Sequence, residues 1–181
     1  MTAMKRTTIV ASNSAVQANA QPGVRPGVRL ALDVQRASVA AELPSDTQLR
    51  RWARAALADI GGNHELTVRI VDAPESADLN ADYRHKQGPT NVLSFPFEAP
   101  PGVNSRLLGD LVLCADVVQR EAREQGKSPQ AHWAHMIVHG VLHLRGFDHL
   151  TMIEAQAMET LETEILACLG YTNPYELHED L

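Results

Sequence analysis

The 181-residue chain carries 16 lysines and arginines against 22 acids, a formal charge of −6 and a pI of about 5.7. That balance excludes a protein that coats nucleic acid through global charge, so an RNA ligand would have to meet a local basic groove. The length fits one domain with room for a core, and no apolar run approaches the roughly 18 residues that span a membrane. A soluble, cytoplasmic protein is expected.

The charge is uneven. Residues 1–29 hold four bases and no acid, leaving 12 bases and 22 acids for the rest. Residues 1–26, rich in Ala, Ser, Asn, Thr and Gln, read as a flexible N-terminal extension. Val28 to Val34 reads as a first strand. Pro44-Ser45-Asp46 opens a helix carrying Leu49, Trp52, Ala53, Ala56, Leu57 and Ile60 at helical spacing, stopped by Gly61-Gly62. Glu65 to Asp72 alternates like a strand, and Glu75 to Arg84 reads as a helix. Asn91 to Phe95 is a short strand stopped by Pro96, and Glu98 to Asn104 a Pro/Gly loop. Leu107 to Ala115 reads as the strand most buried on both faces.

Val117 to Gln125 is a helix ended by Gly126. A long helix follows from Ser128 to Leu144, with Pro129 suited to its first turn. Thr151 and Glu154 form a capping-box pattern for the last helix, which ends at Leu169-Gly170. Strands and helices interleave imperfectly, so at least one strand should be antiparallel. The predicted class is α+β, a small mixed β-sheet packed against helices. Cys114 and Cys168 match no metal spacing and read as buried free thiols in a reducing compartment.

Five of the eight histidines fall between positions 132 and 149. On the Ser128–Leu144 helix, Trp133, Met136, Ile137, Val141 and Leu144 share one apolar arc. His132, His135, His139 and His143 share an adjacent arc of roughly 80°. His139 and His143, at i and i+4, can share one cation. Gly146 is placed to reverse the chain after the helix and bring His149 back to the same point. Three imidazoles leave a coordination position open, which is the arrangement of a catalytic site; zinc suits them, as do nickel, copper or iron. Asp148 is a candidate to orient an imidazole or a water. His132, His135 and His85 read equally well as solvated or core-satisfied side chains, and His64 and His178 as surface residues. A metallopeptidase helix would place Glu directly after its first histidine; here that position is Gly140.

The run from His139 through Gly140, His143, Gly146 and Asp148 to His149 resembles the signature of the YbeY family of bacterial endoribonucleases. Leu79-Asn80 with Tyr83-Arg84, and Pro89 to Pro96, resemble its second block. Leu108-Gly109-Asp110-Leu111 resembles its third. The likeness runs in order over residues 65–170.

The resemblance implies an endoribonuclease domain over residues 27–181 that cuts single-stranded RNA. It implies one divalent metal, zinc first, on His139, His143 and His149 at the end of the long central helix. It also implies maturation of the 3′ end of small-subunit ribosomal RNA and ribosome quality control, beside a small-subunit ribosomal protein and an Era-type GTPase. Arg84 matches the family's functional arginine, and its planar guanidinium suits phosphate oxygens independently of that match. Lys86, Arg69 and Arg145 are weaker candidates. The catalytic set is then Arg84, His139 and Asp148, acting in metal-assisted phosphodiester hydrolysis. Two other readings stand beside it: a zincin-like metallopeptidase, weakened by Gly140, and a metal-stabilised ribosome assembly factor that cuts nothing.

Overall fold

The computed structural model describes residues 27–176; the N-terminal extension 1–26 and His178 lie outside the described residues. Four strands and five helices follow one another among them: β1 (Arg29–Arg36), α1 (Asp46–Ala55), β2 (Asn63–Val71), α2 (Ala73–Arg84), β3 (Val92–Pro96), β4 (Leu107–Cys114), α3 (Ala115–Glu124), α4 (Pro129–Leu144) and α5 (Met152–Leu169). The class is mixed α+β, as expected. The sheet order is β1-β2-β4-β3, with β1, β2 and β4 parallel and the edge strand β3 antiparallel to β4.

Side-chain alternation assigns the two faces of the sheet. Leu30, Leu66, Val68, Ile70, Val92, Leu111 and Leu113 point into the main core, where α1, α4 and α5 contribute Leu49, Trp52, Trp133, Ile137, Val141, Met158 and Leu166. Val71, Leu93 and Val112 point the other way and form a smaller cluster with Leu79 of α2. The second half of β4, Leu111 to Cys114, is buried on both faces. Helix α4 packs on β3 and β4 and touches α1, α3 and α5. It is buried almost all round, which is why its sequence is apolar well beyond one stripe.

Local chemistry sets the helix starts. Ser45 and Gln48 cap each other reciprocally at α1, as Thr151 and Glu154 do at α5. Ser128 caps α4 ahead of Pro129. The first helix ends earlier than the apolar spacing predicts. From Leu57 the chain tightens into i→i−3 bonds, Leu57 to Arg54 and Ile60 to Leu57, and Ile60 is left exposed. Helix α2 starts two residues before Glu75, because Asp72 leaves β2 as the N-cap residue and Pro74 occupies the first turn. Pro96 is the last residue of β3 rather than its stop, a position open to proline because β3 is an edge strand.

Cys114 is buried, but Cys168 is exposed, against expectation. Helix α5 buries the stripe Met158, Glu162, Ile165 and Leu166, and Cys168 lies off it. Gly109 is required by close approach. At φ +135°, a Cβ there would stand 2.1 Å from the carbonyl oxygen of Phe95 on the paired strand. This accounts physically for the glycine of the Leu108–Leu111 block. No helix among the described residues is long and apolar enough to cross a membrane.

Candidate metal centre

His139 and His143 occupy the last two turns of α4, one turn apart on the same face. The helix then ends in a paired set of backbone bonds, Gly146 N–H to His143 O at 2.9 Å and Phe147 N–H to Leu142 O at 3.1 Å. That pattern needs a left-handed residue at Gly146, where φ is +91°. Arg145 fastens the turn to the end of α1 and the segment after it, donating to Ala56 O at 2.6 Å and to Asp59 at 2.7 Å. The chain is thereby reversed, and His149 returns to the helix face.

The three rings converge. Their centroids stand 4.6 Å apart for His139 and His143, 5.0 Å for His143 and His149, and 5.9 Å for His139 and His149. One nitrogen from each lies within 4.8 Å of the other two. The Nε2 atoms of His139 and His143 are 3.1 Å apart. Two imidazoles on one tetrahedral zinc, each about 2.0 Å from it, would stand about 3.3 Å apart. Donor type and spacing therefore fit a divalent transition metal. Burial, and then the neighbouring His139 and His149, hold the His143 pKa below the ordinary histidine value, leaving a neutral ring able to donate a lone pair.

Behind this trio lies a residue that the sequence reading did not single out. Glu162 of α5 is fully buried. Its Oε1 is 2.6 Å from His139 Nδ1, and its Oε2 is 3.2 Å from His135 Nε2 and hydrogen-bonded by the Tyr175 hydroxyl. Burial pushes the carboxyl up, but the hydrogen bonds from His135 and His139 outweigh it and hold its pKa at about 2. Burial and the bond to Glu162 push the Tyr175 hydroxyl far above its ordinary value. A signal existed: Glu162 sits in phase with Met158, Ile165 and Leu166, a charged side chain on the buried stripe of an amphipathic helix.

His132 and His135 are both buried, one on Glu121 at 2.8 Å and the other on Glu162. Each leaves its Nδ1 without a partner. Asp148 accepts a hydrogen bond from the backbone N–H of His149 at 2.8 Å, at the start of the segment that carries this ring. His64 bonds the carbonyl of Gly61 at 2.7 Å. His85, exposed, takes the left-handed C-cap of α2.

Arg84 stands exposed in the last turn of α2 and, among the described residues, has no ion-pair partner. Its neighbour Tyr83 packs edge-on against Phe95 of β3 at 5.0 Å, and Ser94 of the same strand bonds the carbonyl of Gly140 in α4. Lys86 is exposed. Arg69 is engaged by Glu75 at 2.7 Å, and Arg145 by Asp59 at 2.7 Å.

Gly140 packs directly on the sheet. A Cβ there would meet Leu111 at 2.8 Å and Val92 at 3.3 Å. The position where a metallopeptidase carries its glutamate thus faces the core, where a side chain would have to displace packed methyl groups.

The solution structure of a protein from Thermotoga maritima is similar, with a TM-score of 0.47 at 21% identity over 82% of this chain and 99% of that one. The family described as Endoribonuclease YbeY matches residues 34–170. The match spans most of the chain, and the chain belongs to the YbeY endoribonuclease family.

Proposed function

We propose that the protein is a metal-dependent, single-strand-specific endoribonuclease of ribosomal RNA processing, cutting near the 3′ end of small-subunit ribosomal RNA. One observation carries the reading: three imidazoles from a helix end and its return loop converge on one point within a YbeY-family chain. His139, His143 and His149 would hold one divalent ion, zinc first and nickel or another transition metal as the alternative. Such an ion supplies Lewis acidity and activates water for attack at phosphorus. His139 takes part in catalysis as a ligand. The exposed guanidinium of Arg84 binds and orients the scissile phosphate and stabilises its growing charge. Asp148 fixes the His149 segment and assists the transfer of a proton. The setting is cytoplasmic, in ribosome maturation and quality control, with a small-subunit ribosomal protein and an Era-type GTPase as protein partners.

Metallopeptidase chemistry is disfavoured because the position of its glutamate is Gly140, where a side chain would have to displace the buried Leu111 and Val92. The test is cleavage of a single-stranded RNA bearing the 3′ end of small-subunit ribosomal RNA. Wild type should cut, while His139→Ala and Arg84→Ala, both folded, should not. Equal cutting by all three would overturn the reading. Folded, metal-binding protein that cuts nothing yet supports ribosome maturation would replace it with an assembly role.

A further inference from the structure

The metal-binding reading accounts for His139, His143 and His149 but leaves Glu162 and Tyr175 without a role. A fully buried carboxylate is expensive unless its oxygens are occupied, and here both are. Its shortest partner that is a ring nitrogen is the His139 Nδ1, at 2.6 Å. The other nitrogen of that ring, Nε2, faces His143. The carboxylate and the cation site therefore lie on opposite edges of one imidazole.

We propose that Glu162 is the positioning residue of the metal centre, fixing His139 as the Nδ1–H tautomer with Nε2 turned to the cation, and that Tyr175 fastens Glu162 in that task. The inference rests on the metal-binding reading above. A carboxylate accepting from a ligand histidine both sets the ring's orientation and raises its basicity toward the metal. The second oxygen is held between His135 and the Tyr175 hydroxyl, so the carboxylate cannot rotate away. The Tyr175 ring also packs edge-on against His135 at 5.5 Å.

Tyr175 is itself anchored. Asn173 Oδ1 accepts from the Tyr175 backbone N–H at 3.0 Å and from Thr163 of α5 at 3.3 Å. Lys127, between α3 and α4, donates to Pro174 O at 2.5 Å. A segment after the last helix, remote in sequence from His139, thus reaches the metal ligand through one carboxylate.

The rival assignment makes Glu162 a ligand of a second ion, since His135, His139 and Glu162 also bring three ligand atoms within 4.8 Å of one another. The 2.6 Å contact opposes it, because a hydrogen-bonded pair at that distance leaves no room for a cation between its atoms. The two assignments predict different stoichiometry.

The experiment uses the full chain as wild type, Glu162→Gln and Tyr175→Phe. Zinc affinity and stoichiometry are read by competition with a chromophoric chelator. The visible spectrum of the cobalt(II) form reports the ligand field, and melting of the metal-free protein reports the fold. Glu162→Gln keeps the shape and removes the charge. It should weaken zinc binding roughly 10- to 100-fold and perturb the cobalt bands, with one ion bound per chain throughout. Tyr175→Phe should weaken it roughly three- to tenfold and lower the metal-free melting temperature by only a few degrees, because it removes one hydrogen bond to a charged group and keeps the packed ring. If Glu162→Gln does not fold, Tyr175→Phe decides alone. Wild-type zinc affinity in the folded variants would overturn the inference and leave the metal reading intact. A drop from two ions to one in Glu162→Gln would overturn it in favour of a second site. A wild-type chain that binds no zinc or cobalt would overturn both readings.

Discussion

Glu121 closes the far end of the histidine row, its carboxylate 2.8 Å from His132 Nε2 and 3.1 Å from Asn91 Nδ2. Burial pushes this carboxyl up, but the hydrogen bonds from His132 and Asn91, aided by the charges of His132 and Arg120, more than offset it and lower its pKa. A folded pKa below the unfolded one contributes stability above the ordinary glutamate range and loses it as pH falls through the folded value. Glu121→Gln should therefore cost about 1.5–3 kcal/mol at pH 7, the range for hydrogen bonds to a charged group. The gap to wild type should narrow as pH falls below the ordinary glutamate value of about 4.3. Urea unfolding at neutral pH and near pH 3.5 checks this; an equal gap at both would show that the charge plays no part. His132 illustrates what one residue can and cannot reveal in a sequence. Its place on the histidine arc is legible from helical spacing, but its partner comes from α3 and Asn91 from just before β3, and only the fold brings them together.

At the scale of the element, α4 does two jobs with one helix: it buries a core face on β3 and β4 and presents His139 and His143 at its end. Gly140 lies on the first of these faces. Gly140→Glu would rebuild the peptidase motif in sequence while driving a carboxylate against Leu111 and Val92. We expect no peptidase activity and a loss of at least about 3 kcal/mol from overpacking and burial of an unpaired charge, read as a lower urea midpoint. Peptide hydrolysis by this variant at undiminished stability would refute the assignment of that face. The elements themselves were largely legible. Caps at Ser45, Ser128 and Thr151 mark three starts, and Gly146 and Gly170 mark two ends with left-handed backbone. Boundaries slipped where tertiary context decided them: at Leu57, where the helix tightens against the turn that Arg145 holds, and at Pro96, whose edge position excuses it from donating. The convergence of His139, His143 and His149 was legible because i, i+4 spacing and a helix-ending glycine are local. Glu162 was not singled out because its meaning depends on α5 packing across α4, a contact between residues 23 apart.

At the scale of the molecule, the main core is built from apolar sheet and helix side chains and includes none of the three converging histidines, so we expect it to hold without a metal. The chelated protein should stay folded and unfold cooperatively, with zinc at 100 times its dissociation constant adding about 2.7 kcal/mol by mass action. His149→Ala should abolish that gain and leave the metal-free melting temperature nearly unchanged, since His149 is exposed. Collapse on chelation would instead make the metal structural. RNA binding faces a harder condition, the net charge of −6. Four described arginines are already paired with carboxylates: Arg36 with Asp46, Arg69 with Glu75, Arg120 with Glu124 and Arg145 with Asp59. Their charge is largely spent within the protein. Arg84 has no such pairing among the described residues, so it can displace a counterion from RNA. For single strands each phosphate contact contributes about 0.7 to the slope of log affinity against log salt. Arg84→Ala should reduce the magnitude of that slope by about 0.7 and weaken scrambled and natural single strands alike, because a phosphate contact carries no sequence. A titration of labelled RNA at several salt concentrations reads both quantities. An unchanged slope would remove Arg84 from the phosphate and place its effect on cleavage elsewhere.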